Sequence, residues 1–142
     1  MKISARNQFS GTITAVKAGA VNSEVDVTLP GGQKIVAMVT NESANALNLK
    51  AGGAVVALIK ASSVMVMTDA AGMRISARNC LEGTIKSLTM GPVNVEVTIT
   101  LGGGSEVQAT ITHEAAAELG LKEGGAATAV FKALTVILAV AA

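Results

Sequence analysis

The 142-residue chain has almost no aromatic side chains: Phe9 and Phe131 are the only two, and Trp and Tyr are absent. It has one cysteine, Cys80, and one histidine, His113. A lone cysteine makes no intrachain disulfide and no thiolate cluster, and a lone imidazole is a poor start for a zinc site. Charged residues are scarce at 15%, and eleven bases against ten acids leave a formal charge of +1. No general field therefore draws polyanions or an anionic membrane surface toward the chain. Single-stranded nucleic acid calls for a basic groove and stacking rings, and both are missing. Long apolar runs are absent too, although half of the residues are apolar. The longest, Val136–Ala142, falls far short of the roughly 18–20 residues that span a bilayer. The first residues, MKISARNQFSG, are polar where a signal peptide needs an apolar stretch. A cytoplasmic location without membrane contact is the expectation.

What the chain has in abundance is self-similarity. Met1–Ala70 aligns with Met73–Ala142 without a gap, and about 33 of 70 positions are identical. MKISARN meets MRISARN, VTNESANALNLKAGGA meets ITHEAAAELGLKEGGA, and IKASSV meets FKALTV. Two copies of this length are a tandem domain duplication rather than a solenoid. The expected division is a first domain over 1–67, a linker over 68–72 and a second domain over 73–142. A unit of this size buries a modest core, and Val, Ile, Leu, Met and Ala build it in thin layers. Each unit is therefore expected to leave apolar surface exposed and to complete its core by oligomerising or by exchanging strands.

Within a repeat the pattern is mostly β. Residues Val21 to Leu29 alternate apolar and polar, as a half-buried strand does. Pro30-Gly31-Gly32 turns the chain into a second strand, Lys34 to Thr40, and Gly102-Gly103-Gly104 does the same in the second repeat. Thr12–Val16, Ala54–Ile59 and Ser63–Met67 supply three more strands. One segment reads as helix, Asn41 to Leu47, with Thr40 as its N-cap and an end near Gly52-Gly53. The expected class is all-β: two tandem OB-like Greek-key barrels, each of five strands and one short helix. A small sandwich carries the same local signals.

The internal comparison disfavours catalysis. His113 is matched by Asn41 and Cys80 by Gln8, so neither is present twice, and a surface His and a buried Cys are expected. No nucleophile–base pair occurs in both copies, so the chain is not expected to be an enzyme. Gly31-Gly32 is a hairpin rather than a phosphate loop, since no helix follows it. Glu24 and Glu96 belong on strands, and Glu42 and Glu114 in the first helical turn, where a negative side chain is favoured.

What does repeat is a set of hydrogen-bond donors. Ser4-Ala5-Arg6-Asn7 recurs as Ser76-Ala77-Arg78-Asn79, Lys60-Ala61 as Lys132-Ala133, and Thr40 as Thr112. Ser43 is present in the first repeat only, with Ala115 in its place in the second. Hydroxyls, a guanidinium, an ammonium and free backbone N–H groups are the parts of an anion site. None of them is an acceptor-only group, so a metal cation would find little to bind.

SARN near the start, GAVN-E on the next strand, a VT-x-E-S helix start and IKAS before the last strand resemble the Mop (TOBE) domain of molbindins. Two such domains in a short chain are similar to di-Mop molbindins. The likeness covers both halves. It implies OB-like barrels that associate into trimers or hexamers, a trimer being expected here, and that bind molybdate or tungstate between subunits for intracellular storage, with no organic cofactor. By position it makes Ser4, Ala5, Arg6, Lys60 and Ala61 one side of an oxyanion pocket, faced by Thr40 and Ser43 of a neighbouring subunit. In the second repeat it sets Ser76, Ala77, Arg78, Lys132 and Ala133 against Thr112. Arg6 then acts mainly through its backbone N–H, and Ala61 only so. Asn22 and Asn94 are candidates for a second type of site. The chain has neither a helix-turn-helix region nor a Gly-x-x-x-x-Gly-Lys loop, so it would be the binding module standing alone. A structural or partner-binding oligomer, with the donor set incidental, is the alternative.

Overall fold

In the computed structural model, which describes residues 1–142, the alternating segments become strands of two five-stranded sheets. The first repeat forms β1 (Asn7–Ala18), β2 (Asn22–Thr28), β3 (Lys34–Thr40), α1 (Asn41–Ala46), β4 (Ala54–Ile59), a 3-10 turn (Ala61–Ser63) and β5 (Met65–Met67). The second forms β6 (Asn79–Met90), β7 (Asn94–Leu101), β8 (Glu106–Thr112), α2 (His113–Leu119), β9 (Ala126–Phe131), a 3-10 turn (Ala133–Thr135) and β10 (Ile137–Ala139). No helix is long and apolar enough to cross a membrane.

Besides β2, which is one residue shorter at each end than Val21–Leu29, three elements differ from the sequence expectation. Strand β1 begins at Asn7 rather than Thr12, because its first half pairs with β4 and its second half with β2. The hand-over falls at Gly11, where a Cβ would lie 2.8 Å from the Thr28 carbonyl oxygen, and a bulge follows between Ile13 and Ala15. The last strand is shorter than Ser63–Met67, since Ala61–Ser63 turns first. Helix α1 ends one residue early, at Ala46, while Thr40 caps it as expected by accepting from the Ser43 N–H.

The sheet order carries the main architectural fact. One sheet runs β10-β4-β1-β2-β3 and the other β5-β9-β6-β7-β8. Each barrel takes four strands from one repeat and its fifth from the other. Met65–Met67 lies antiparallel to Thr128–Val130, and Ile137–Ala139 to Val56–Leu58. The chain thus crosses between barrels at the two 3-10 turns, whereas the 68–72 segment is a local turn in which Asp69 Oδ1 accepts from the Ala71 N–H. The buried apolar residues of both repeats, including Phe9 and Phe131, form one continuous cluster.

Two further devices hold the barrels together. Asn79, 1% exposed, clasps the Val36 backbone of the other repeat: Val36 N–H donates to Oδ1 and Nδ2 donates to the Val36 carbonyl, both at 2.8 Å. Asn7 does the same to Gln108, at 2.7 and 2.8 Å, and also donates to the Ile59 carbonyl. The hairpin tips meet backbone to backbone, where a Cβ on Gly31 would lie 2.5 Å from the Gly103 Cα.

Removing the Asn79 amide strands a buried N–H and a buried carbonyl. Each costs about 1–3 kcal/mol when left unpaired, so Asn79→Ala is expected to lower stability by about 2–4 kcal/mol. Urea unfolding measures this, and a loss of under about 0.5 kcal/mol, the scale of an ordinary surface change, would contradict the clasp.

Candidate functional site

The candidate residues divide into two groups, each repeated. Ser4, Ala5 and Lys60 line one cavity of about 320 Å³, together with Ile3, Leu58, Ser63, Thr135 and Ile137. Ser76, Ala77, Arg78, Lys132 and Ala133 line a second of about 700 Å³, whose apolar wall includes Met38, Met65, Met67 and Ile75. Ile3, Ser4, Ala5, Leu58, Lys60 and Ile137 occupy the repeat positions of Ile75, Ser76, Ala77, Val130, Lys132 and Met65. The two cavities are therefore copies of one site. In each, the exchanged strand supplies a wall: Ile137 of β10 in the first and Met65 of β5 in the second.

The sequence brings these groups together for local reasons. The SAR segment precedes the Asn that is buried in the clasp, so Asn7 and Asn79 fix its direction. Residues Ser4–Arg6 and Ser76–Arg78 lie outside the strands, and their backbone N–H groups donate to no backbone carbonyl. Lys60 and Lys132 follow the last residues of β4 and β9, and each precedes a 3-10 turn that opens on a buried alanine, Ala61 or Ala133. Neither lysine is in an ion pair. An exposed ammonium, a serine and unused N–H groups at the rim of a cavity suit an anion.

The guanidinium groups are otherwise engaged. Arg78 binds Glu24 of the other repeat through both oxygens, at 2.6 and 3.1 Å, and Arg6 binds Glu96 at 2.7 Å. The hydrogen bond from Arg78 holds the Glu24 carboxyl below the usual carboxylate range, and the same bond raises the Arg78 guanidinium.

Thr40 and Ser43 line neither cavity. Thr40 accepts from the Ser43 N–H at 3.0 Å and donates to the Ser43 hydroxyl at 2.9 Å; Thr112 accepts from the Ala115 N–H at 3.1 Å. Thr40 nevertheless lies two residues, roughly 7 Å, beyond cavity-lining Met38 on β3. Within one chain the exposed helix start of the first repeat therefore stands near the Ser76 cavity. Asn22 pairs with Thr40, and Asn94 with Thr112, in the β2–β3 and β7–β8 ladders. Asn94 also borders a small cavity with Thr89, Glu96 and Thr110. Glu42 and Glu114 are exposed in the first turns of their helices.

Cys80 is exposed, not buried as expected. It follows inward-facing Asn79 on β6, and alternation turns it outward, as it does Gln8 on β1. His113 is partly buried and bonds the Gly91 carbonyl through Nε2, the task that the Asn41 amide performs on Gly19 at 2.9 Å. The two side chains make the same loop contact in their repeats. Sequence reasoning missed the apolar walls, Ile3 and Ile137 above all. The identity of Ile3 and Ile75 within MKISARN and MRISARN was the available signal.

The TOBE domain model matches residues 3–66 and again 75–138. The chain belongs to the TOBE-domain family. Its two TOBE domains occur together in similar proteins. The molybdenum transport protein ModE of Herbaspirillum seropedicae is 48% identical over 140 residues, which cover 99% of this chain and 52% of that protein. The molybdenum-pterin-binding protein MopA of Rhodobacter capsulatus is 46% identical over 139 residues, 98% of this chain and 52% of that protein. The chain thus spans about half the length of these two relatives. A crystal structure of the cytoplasmic molybdate-binding protein ModG with molybdate bound superimposes with a TM-score of 0.97 at 57% identity, covering 99% of this chain and all of that one. The tandem TOBE pair with its two mostly β domains is therefore a shared architecture.

The ion pairs between TOBE domains make an acid-range prediction. A carboxyl whose folded value is depressed adds stability above its unfolded value, and that stability is lost as pH falls through the folded value. The Glu24–Arg78 contribution is expected to be complete at neutrality and to fade only below the ordinary 4.5. Glu24→Gln should flatten the acid limb of unfolding midpoint against pH. An unchanged acid limb would show that the pair does not couple the domains.

Proposed function

We propose that the chain binds molybdate, and tungstate with it, as an intracellular store or buffer in the cytoplasm. The observation that carries this reading is the duplicated cavity, in which the same serine, lysine and unpaired backbone N–H groups recur in an architecture matched at 57% identity by molybdate-binding ModG. A tetrahedral dianion needs convergent donors, a little positive charge and shelter from water. Ser4, Ala5, Arg6, Lys60 and Ala61 would form one half of a site and Ser76, Ala77, Arg78, Lys132 and Ala133 its equivalent, with Arg6 and Arg78 acting through backbone N–H groups while their guanidinium groups hold the repeats together. The remaining donors, Thr40, Ser43 and Thr112, would close the sites from an adjoining surface, and Ala115 leaves one hydroxyl fewer there. Asn22 and Asn94 would serve a second type of site. The ligand is an inorganic oxyanion, without an organic cofactor, and no chemistry is performed on it.

Exposed apolar surface at the cavities supports the same reading. The cavities are rimmed by exposed apolar side chains, with Ile137 59% exposed at the first and Leu134 63% at the second. Closing these rims against further copies, as a trimer, would dry the pocket and link occupancy to association by mass action. The engaged guanidinium groups favour the alternative in one respect, since a purely structural oligomer would use Arg6 and Arg78 in the same way.

Titration calorimetry separates the readings. Molybdate is expected to bind in the presence of excess sulfate, and the double variant Lys60→Ala, Lys132→Ala to weaken it. A lost hydrogen bond to a charged ligand is worth about 1.5–3 kcal/mol, so each site should lose roughly 10- to 150-fold in affinity. Assembly, read by native mass spectrometry, should persist. No heat with molybdate in the unaltered protein, or no change in the variant, would overturn the proposal.

A further inference from the structure

The two cavities share a serine, an alanine and a lysine at matching positions, but their walls differ. Under the repeat alignment Ile137 corresponds to Met65, Ala139 to Met67 and Thr110 to Met38. All three methionines line the Ser76 cavity, of about 700 Å³, whereas Ile137 lines the Ser4 cavity, of about 320 Å³. The exchange of β5 and β10 assigns these walls crosswise: Met65 and Met67 belong to the first repeat but border the donors of the second, and Ile137 the reverse. Isoleucine is branched at Cβ and stiff about χ1, while methionine has three rotatable bonds and fills irregular space.

We infer that the two oxyanion sites of one chain differ in selectivity, and that the exchanged strand of the opposite repeat sets the difference. The inference rests on the oxyanion-binding reading of these cavities. A tetrahedral dianion of given charge is told from a smaller one by whether the walls can close on it. The Ser4 site, with its stiff isoleucine, discriminates between molybdate and sulfate. The Ser76 site, with its thioether wall, adapts to both and discriminates little. Met65 and Ile137 are then specificity-determining residues that donate nothing to the anion.

The test is competition calorimetry, with molybdate titrated at rising sulfate concentration into Lys60→Ala and Lys132→Ala singly. Lys132→Ala, which keeps the Ser4 site, is expected to show the higher molybdate-over-sulfate ratio, and Lys60→Ala the lower one. Adding Met65→Ile and Met67→Ala to Lys60→Ala should raise its ratio by about tenfold, the scale on which a methylene in a shaped pocket discriminates. The opposite exchange, Ile137→Met in Lys132→Ala, should lower the ratio there, and it serves if the first combination fails to fold by circular dichroism. Equal ratios in the two lysine variants, or ratios unmoved by the wall exchanges, overturn the inference while leaving molybdate binding intact. Absence of molybdate binding in the unaltered chain overturns the binding reading itself.

Discussion

Neither repeat contains a whole barrel in space. The four strands from Asn7 to Ile59 close around an apolar interior, but the strand that flanks β4 comes from residues 137–139, and the second barrel borrows 65–67 in return. A unit with almost no aromatic bulk buries little, and sharing edges lets two such units make a single cluster of 27 buried side chains. Everything else between the barrels follows from that exchange. It sets Asn7 and Asn79 where their amides pair a foreign strand's backbone, it faces Arg6 and Arg78 with carboxylates of the opposite repeat, and it brings Gly31 against Gly103 with no room for a Cβ.

The same constraint shapes the candidate sites. Strand exchange delivers the chain to the far barrel through the 3-10 turns, so Lys60-Ala61 and Lys132-Ala133 lie at the crossing points rather than deep in either repeat. The SAR segments are held beside them by the buried asparagines that follow. Backbone N–H groups are thus left free by the path of the chain, while the guanidinium groups are consumed in holding it. Of the four cations in the repeated donor set, only Lys60 and Lys132 remain for a ligand, which suits a small dianion better than a polyanion. A net charge of +1 is consistent with such local capture.

Much of this was legible because local rules agree with the fold. The cap at Thr40, the hairpins at Gly31-Gly32 and Gly103-Gly104 and the alternation of β2 each depend on a few neighbouring residues, and each appears where the pattern puts it. The first half of β1 was hidden because its first inward residue is Asn7, whose polar side chain is buried for the sake of partners 52 and 101 residues away. Cys80 read as buried because thiols usually are, although the pleat decides otherwise. The exchange itself was open rather than hidden. Met65–Met67 offers the same edge to β4 as to β9, and local sequence cannot rank two partners that are copies of each other. The donors were found through repetition, whereas the apolar walls, which differ between copies, were passed over for that reason.

Duplication with exchange also changes what divergence can do. In an assembly of identical single repeats, a substitution in the exchanged strand alters every site alike. Here the strands at 65–67 and 137–139 can drift independently, and they have: a thioether wall stands where its counterpart carries isoleucine and alanine. The proposed donors stay identical at Ser4, Arg6 and Lys60 and their copies, while the walls around them do not. On the oxyanion reading a charged ligand would tolerate few substitutes for Ser4 and Lys60, whereas packing residues are constrained by volume, which tolerates many. If the cavities bind an oxyanion as proposed, a duplicated chain built in this way can separate the size preference of its two sites without giving up the charge preference of either.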